Sequence, residues 1–111
     1  MKRVLVANRG EIAVRIVRAC FDESIESVLA SSDIDRDSLA ALLADQVVVI
    51  GPRAAAESYL SVERLVAAAL AMECDAVHPG YGFLSERPEL AEACERNDLT
   101  FIGPPAEVMK R

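Results

Sequence analysis

The chain has 111 residues and a mass of 12.0 kDa, with 52% hydrophobic residues, 27% charged residues and a net charge of −6. That balance supports one core-forming domain and excludes collagen-like, low-complexity and disordered chains. The pI near 4.7 argues against a general nucleic-acid binder, and no apolar run approaches the roughly 20 residues of a membrane span.

Met1-Lys2-Arg3 leads into only four apolar residues, Val4 to Ala7, too few for a secretory signal. The expectation is a soluble, cytoplasmic protein that engages neither membrane nor nucleic acid. Residues 1–18 hold five basic side chains against the single acid Glu11, a local excess of +4 that leaves −10 for the rest. Cys20, Cys74 and Cys94 are odd in number and lack C-x-x-C spacing, so three reduced, mostly buried thiols are expected rather than a metal site or disulfides.

Val4 to Ala7 has the pattern of a strand buried on both faces. After Asn8-Arg9-Gly10, the apolar residues Ile12, Ile16, Val17 and Cys20 recur at helical spacing, predicting a helix from Gly10 to Glu23. Its outer face carries two i,i+4 pairs, Glu11–Arg15 and Arg18–Asp22. A second strand is predicted over Glu26 to Ala30, ended by Ser31-Ser32-Asp33. Asp37 or Ser38 then caps a short helix running through Leu43.

Val47-Val48-Val49-Ile50 reads as a third buried strand, stopped by Gly51-Pro52. Ser61 caps a helix whose inner face is predicted to hold Val62, Leu65, Val66, Ala69 and Leu70. Ala76 to His78 is a short fourth strand, Pro88 to Arg96 a helix, and Thr100 to Ile102 a fifth strand. Strands alternating with helices imply right-handed crossovers and a parallel sheet. The fold class expected is α/β: a Rossmann-like open five-stranded parallel sheet, helices on both faces, strand order 3-2-1-4-5.

In such a sheet, ligands bind beyond the carboxyl ends of the strands, where strand order reverses. That edge would bring Asn8-Arg9-Gly10 beside the loop from His78 to Glu86. The first loop has only Gly10 where a dinucleotide fingerprint needs several glycines, and there is no Gly-Lys-Ser/Thr phosphate loop. In the second, Pro79 biases His78 to extended geometry, and glycines flank Tyr81. Tyr81 therefore either presents its ring to a ligand or fills the rim of the sheet. His78 reads as a hydrogen-bonded structural residue, and Glu89, Glu92 and Glu95 as a solvated acidic stripe. No nucleophile–base pair and no metal cluster stand out.

The segments Val6-Ala7-Asn8-Arg9-Gly10-Glu11-Ile12-Ala13 and His78-Pro79-Gly80-Tyr81-Gly82-Phe83-Leu84-Ser85-Glu86 closely resemble the biotin carboxylase family. Leu43-Ala44-Asp45, Ser58-Tyr59-Leu60 and Phe101-Ile102-Gly103-Pro104 fall at matching intervals. Departures lie at Arg87, where the family usually has Asn, and near Cys74, where it usually has Gly. The resemblance spans residues 1–111 and implies the N-terminal, pre-ATP-grasp domain of an ATP-dependent ligase. This family includes the carboxylase subunits of acetyl- and other acyl-CoA carboxylases and the first portion of pyruvate carboxylase.

The complete enzymes use MgATP and bicarbonate to form carboxyphosphate and carboxylate biotin on a carrier protein. The family's catalytic and metal-binding residues lie in the ATP-grasp and C-terminal domains, so the resemblance implies no catalytic residue, no metal ligand and no cofactor bound by this chain alone. It implies that Tyr81 and Gly82 form a wall beside biotin, and that Arg15, Arg18 and Asp22 belong to a homodimer interface. The implied partners are the ATP-grasp and C-terminal domains, the biotin carboxyl carrier, a carboxyltransferase and a second copy. The alternatives are the equivalent domain of another ATP-grasp ligase and a free-standing, non-catalytic binding or assembly module.

Overall fold

The computed structural model describes residues 1–33, 35–52, 61–80 and 88–103. Its elements run β1 (Arg3–Val6), α1 (Gly10–Asp22), β2 (Glu26–Ser32), α2 (Leu39–Leu43), β3 (Gln46–Gly51), α3 (Val62–Ala71), β4 (Ala76–His78), α4 (Pro88–Arg96) and β5 (Thr100–Phe101). All strand pairs are parallel, in the order β3-β2-β1-β4-β5. This is the expected α/β sheet and strand order.

Strand alternation divides the core into two layers. Leu5, Val28, Ala30 and Val77 face α3 and α4, where they meet Leu65 and Leu90. Val4, Val6, Leu29 and Ala76 face α1 and α2, where they meet Val14 and Val17. The three interior strands, β2, β1 and β4, are covered on both sides, which explains the unbroken apolar run of Val4 to Ala7.

Three helices end in the same way. Ser24, Glu73 and Asp98 each take a left-handed conformation, with φ of 57°, 58° and 57°. The following amide then reaches back to close the helix: Ile25 N–H to Cys20 O, Cys74 N–H to Ala69 O and Leu99 N–H to Cys94 O, each 2.8 Å. These are Schellman-type closures that dock an apolar or thiol side chain onto the core beyond each helix. The chain thereby enters β2, β4 and β5 at fixed points.

Several expectations need correction. β2 continues through Ser31 and Ser32, both buried, because β3 supplies pairing partners beyond Ala30. β3 is not a buried strand: it lies at the sheet edge, only Ile50 is buried, and Val49 is 50% exposed. Its β-branched run reflects strand propensity rather than double-sided coverage, since the five-residue α2 is too short to roof it.

Leu70 is 48% exposed, whereas Leu65 is fully buried. The buried stripe of α3 is turned toward Ala68. Ser38, not Asp37, caps α2 by accepting the Ala41 N–H at 3.2 Å. On α4, Glu92 is half-buried, so the acidic stripe is not uniformly solvated.

The three cysteines are buried free thiols. Burial pushes both Cys74 and Cys94 up to about 11, which leaves them in the unreactive thiol form at neutral pH. Among the described residues, no helix is long and apolar enough to cross a membrane.

Candidate functional site

The carboxyl edge of the sheet is built by register. Val6 of β1 stands opposite His78 of β4, so the residues leaving both strands, Asn8 and Gly80, emerge side by side. The two strands are joined further by the Ala7 N–H, which donates to His78 O at 2.9 Å. Chain direction across the sheet reverses between β1 and β4, and that is where an open α/β sheet leaves its crevice.

Asn8 is 1% exposed. Its Nδ2 donates to Pro79 O at 2.7 Å, and its Oδ1 accepts the Arg9 N–H at 2.8 Å. Gly80 has φ +68°, and its N–H donates to His78 Nδ1 at 3.1 Å. A side chain at Gly80 would place Cβ 2.6 Å from Asn8 Nδ2 and 2.8 Å from Ile12 Cγ2. Both space and conformation therefore demand glycine there.

His78 is half-buried, and burial lowers its pKa below the ordinary 6.5. An imidazole that accepts at Nδ1 must carry its proton on Nε2, so the neutral form fits this bond. His78 is a structural hydrogen-bonding residue, as its sequence context implied.

The other side of the crevice is ionic. Arg9 pairs with Asp35 through Nε–Oδ2 at 2.9 Å and NH2–Oδ1 at 3.2 Å, tying the β1–α1 loop to the β2–α2 loop. Ser32 Oγ also donates to Asp35, at 3.2 Å. Asp35 thus joins two loops at the carboxyl edge of the sheet. Its role, like that of Asn8, was hidden because each partner lies more than twenty residues away. The parallel register is the only signal that could have found either.

On α1, Arg15, Arg18 and Asp22 are all exposed, on the face opposite the buried stripe. Arg15 pairs with Glu11 at 3.0 Å. The expected Arg18–Asp22 pair is not made; among the described residues no ion pair joins them. The physical reason is orientation: an acid preceding its base by four residues complements the helix dipole, and the reverse order does not.

Tyr81, Gly82 and the rest of the motif through Glu86 lie outside the described residues, as do Arg87, Ser58-Tyr59-Leu60 and Pro104-Pro105. The described chain reaches the motif through His78, Pro79 and Gly80, at the crevice. Among the described residues, no group of three or more acidic, histidine or cysteine side chains is placed to hold a metal ion.

Comparison with known proteins agrees with this architecture. The chain is 48% identical over 111 residues to biotin carboxylase 1 of Bacillus subtilis, and 50% identical over 110 residues to the biotin carboxylase of Haemophilus influenzae. It spans 100% and 99% of its own length in these matches but 25% of each relative, so it corresponds to about a quarter of those proteins. Its fold matches the biotin carboxylase domain dimer of Hydrogenobacter thermophilus 2-oxoglutarate carboxylase, a structure in complex with MgADP, ADP and bicarbonate. The TM-score is 0.93 at 43% identity, over 98% of this chain and 24% of that one. The biotin carboxylase subunit of a pyruvate carboxylase matches with TM-score 0.93 at 44% identity, over the same shares. The family model described as the N-terminal domain of biotin carboxylase covers residues 1–109, which selects this reading over the equivalent domain of another ATP-grasp ligase. With strand order, crevice and sequence in agreement, the chain belongs to the biotin carboxylase N-terminal domain family.

Proposed function

We propose that this chain is one wall of a biotin carboxylase active site, within a longer enzyme that carboxylates carrier-bound biotin using MgATP and bicarbonate. The observation that carries the reading is the family match over residues 1–109 together with the place where the chain enters its HPGYGFLSE motif. That entry point is Gly80, at the crevice between β1 and β4. Tyr81 and Gly82 border the biotin ring, and residues 1–111 form the N-terminal domain.

MgATP does not fit the described part of this wall. Arg9 and its ion pair with Asp35 stand where a glycine cradle would receive phosphate, and no acidic cluster is placed for Mg²⁺. Following the family resemblance, we assign nucleotide, metal and bicarbonate to the ATP-grasp and C-terminal domains of the complete enzyme. A relative bound to MgADP and bicarbonate supports those ligands for the complete enzyme. This chain's contribution is to shape and orient the biotin side of the crevice.

The partners are the rest of the same enzyme, the biotin carrier, a carboxyltransferase and a second copy docked through Arg15, Arg18 and Asp22. A relative solved as a domain dimer supports a second copy as a partner. Three buried free thiols suit a reducing compartment, and we place the enzyme in the cytoplasm.

The test is Tyr81→Ala in the complete carboxylase. Loss of one aromatic contact is worth about 1–2 kcal/mol, so kcat/KM for free biotin should fall roughly five- to thirtyfold. Bicarbonate-dependent ATP cleavage without biotin should change much less. A lowered Tm with unaltered biotin kinetics would show that Tyr81 only fills the rim.

A further inference from the structure

α2 is packed the wrong way round for a surface helix. Such a helix ordinarily turns its large apolar side chains to the core and its small or polar ones to water. In the Leu-Ala-Ala-Leu-Leu sequence of α2, Ala40 and Ala41 are buried, whereas Leu39, Leu42 and Leu43 are exposed, Leu42 by 76%. The alanines share a core layer with Val14 and Val17 of α1, and their small size lets the two helices lie close together.

The leucines are not isolated. Val49 of β3 is exposed and, by strand alternation from Val47, lies on the same side of the sheet. Phe21, near the end of α1, is 80% exposed and lines one surface hollow with Asp45, two residues beyond α2. Among the described residues, α3 and α4 expose a single large apolar side chain, Leu70. Exposed apolar surface is therefore concentrated on one layer, and such concentration marks a contact surface.

The charges on that layer are self-complementary. Arg15 and Arg18 are exposed on α1, while Asp33, Asp37 and Asp45 are exposed on the segments flanking α2. Arg18 has no ionic partner among the described residues. Because α1 and α2 lie side by side, a two-fold axis running between and parallel to them sets each α1 against the α2 of a second copy. That arrangement buries the leucines of both copies and brings basic α1 faces to acidic α2 flanks.

We propose that Leu39, Leu42 and Leu43, with Phe21 and Val49, form the apolar centre of a contact with a second copy of this chain. Arg18 and the acidic flanks of α2 form its rim. The proposal rests on the reading that a second copy docks through α1, and it places the centre of that contact on α2.

The test is sedimentation of the complete carboxylase over the concentration range of its dimer. Leu42→Ser, Phe21→Ser and Arg18→Glu are compared with Leu70→Ser on the opposite layer. Leu42→Ser and Phe21→Ser should each raise the dimer Kd at least about tenfold, and Leu70→Ser should stay within about twofold of the parent. Far-UV circular dichroism should be unchanged, since each replaced side chain is exposed. Hydroxyl-radical footprinting of the unsubstituted enzyme reads the same surface without any variant. Phe21 and the leucines of α2 should be protected in the dimer and become reactive on dilution to the monomer.

A Kd that responds to Arg18→Glu but to neither Leu42→Ser nor Phe21→Ser overturns this proposal alone. A Kd that responds to none of the three overturns the α1 reading, and the proposal with it. An equal effect of Leu70→Ser would show that the loss is not specific to this layer and overturn the proposal. Protection of α2 that survives dilution to the monomer would assign the patch to another domain of the enzyme, with the same consequence.

Discussion

Replacing Leu65 and Leu70 separately by alanine tests the packing of α3. Leu65 has no exposed surface and lies in the core layer with Leu5, Val28 and Leu90. Leu65→Ala removes three buried carbon atoms and leaves a cavity between α3 and the sheet. Buried leucines truncated in this way cost about 3–5 kcal/mol. For a domain of this length, that corresponds to a fall in Tm of about 12–20 °C. With a urea m-value near 1.5 kcal/mol/M, the midpoint should drop by roughly 2–3 M. Leu70 is 48% exposed, so the same truncation removes only partly buried surface and should cost about 0.5–1 kcal/mol. Urea unfolding of residues 1–111, followed by far-UV circular dichroism, measures both. Equal losses in the two variants, or a loss below about 1.5 kcal/mol for Leu65→Ala, would refute the packing described for α3.

His78 makes stability depend on mild acid. Burial lowers its folded-state pKa below 6.5, so the unfolded chain takes up the proton first as pH falls through about 6.5. Stability should therefore decline below that pH and level off once the folded imidazole also protonates. His78→Asn should flatten that segment of a stability–pH curve, and an unchanged slope would count against the buried neutral imidazole. Glu73→Gly should stabilise the domain by about 0.5–1 kcal/mol, because it removes a side chain from a left-handed residue at φ 58°; calorimetry showing destabilisation would contradict the closure described for α3. In the complete enzyme, Arg18→Glu should weaken dimerisation by roughly 2 kcal/mol, about thirtyfold in Kd, while leaving the fold intact. Unchanged sedimentation at low concentration would show that this face of α1 is simply solvated.

The described entry to the candidate site was legible from local signals. Pro79 and Gly80 marked the end of β4, and the strand–helix alternation placed them at the carboxyl edge of the sheet. Asn8 and Asp35, by contrast, carried no local signal of what they hold together. Their partners, Pro79 and Arg9, stand 71 and 26 positions away in the sequence. No local pattern encodes a hydrogen bond of that span. The helix-face signal was strong for α1, where charges and apolar residues alternate cleanly. It was weaker for α3, where the small apolar residues between Val66 and Ala71 let the buried stripe rotate toward Ala68 without leaving an obvious polar face.

Sequence alone determined which segments are strands and helices, the parallel α/β class and the strand order, because hydrophobic periodicity and crossover handedness leave few alternatives. It also determined the family, through two long motifs in the right order. Tertiary structure decided what depends on neighbours in space. The edge place of β3 exposes Val49 despite its β-branched run, and pairing with β3 carries β2 on through Ser32. The register of β1 against β4 sets Asn8 beside Gly80. Burial and register are properties of the assembled sheet, and a residue's own chemistry cannot specify what lies beside it.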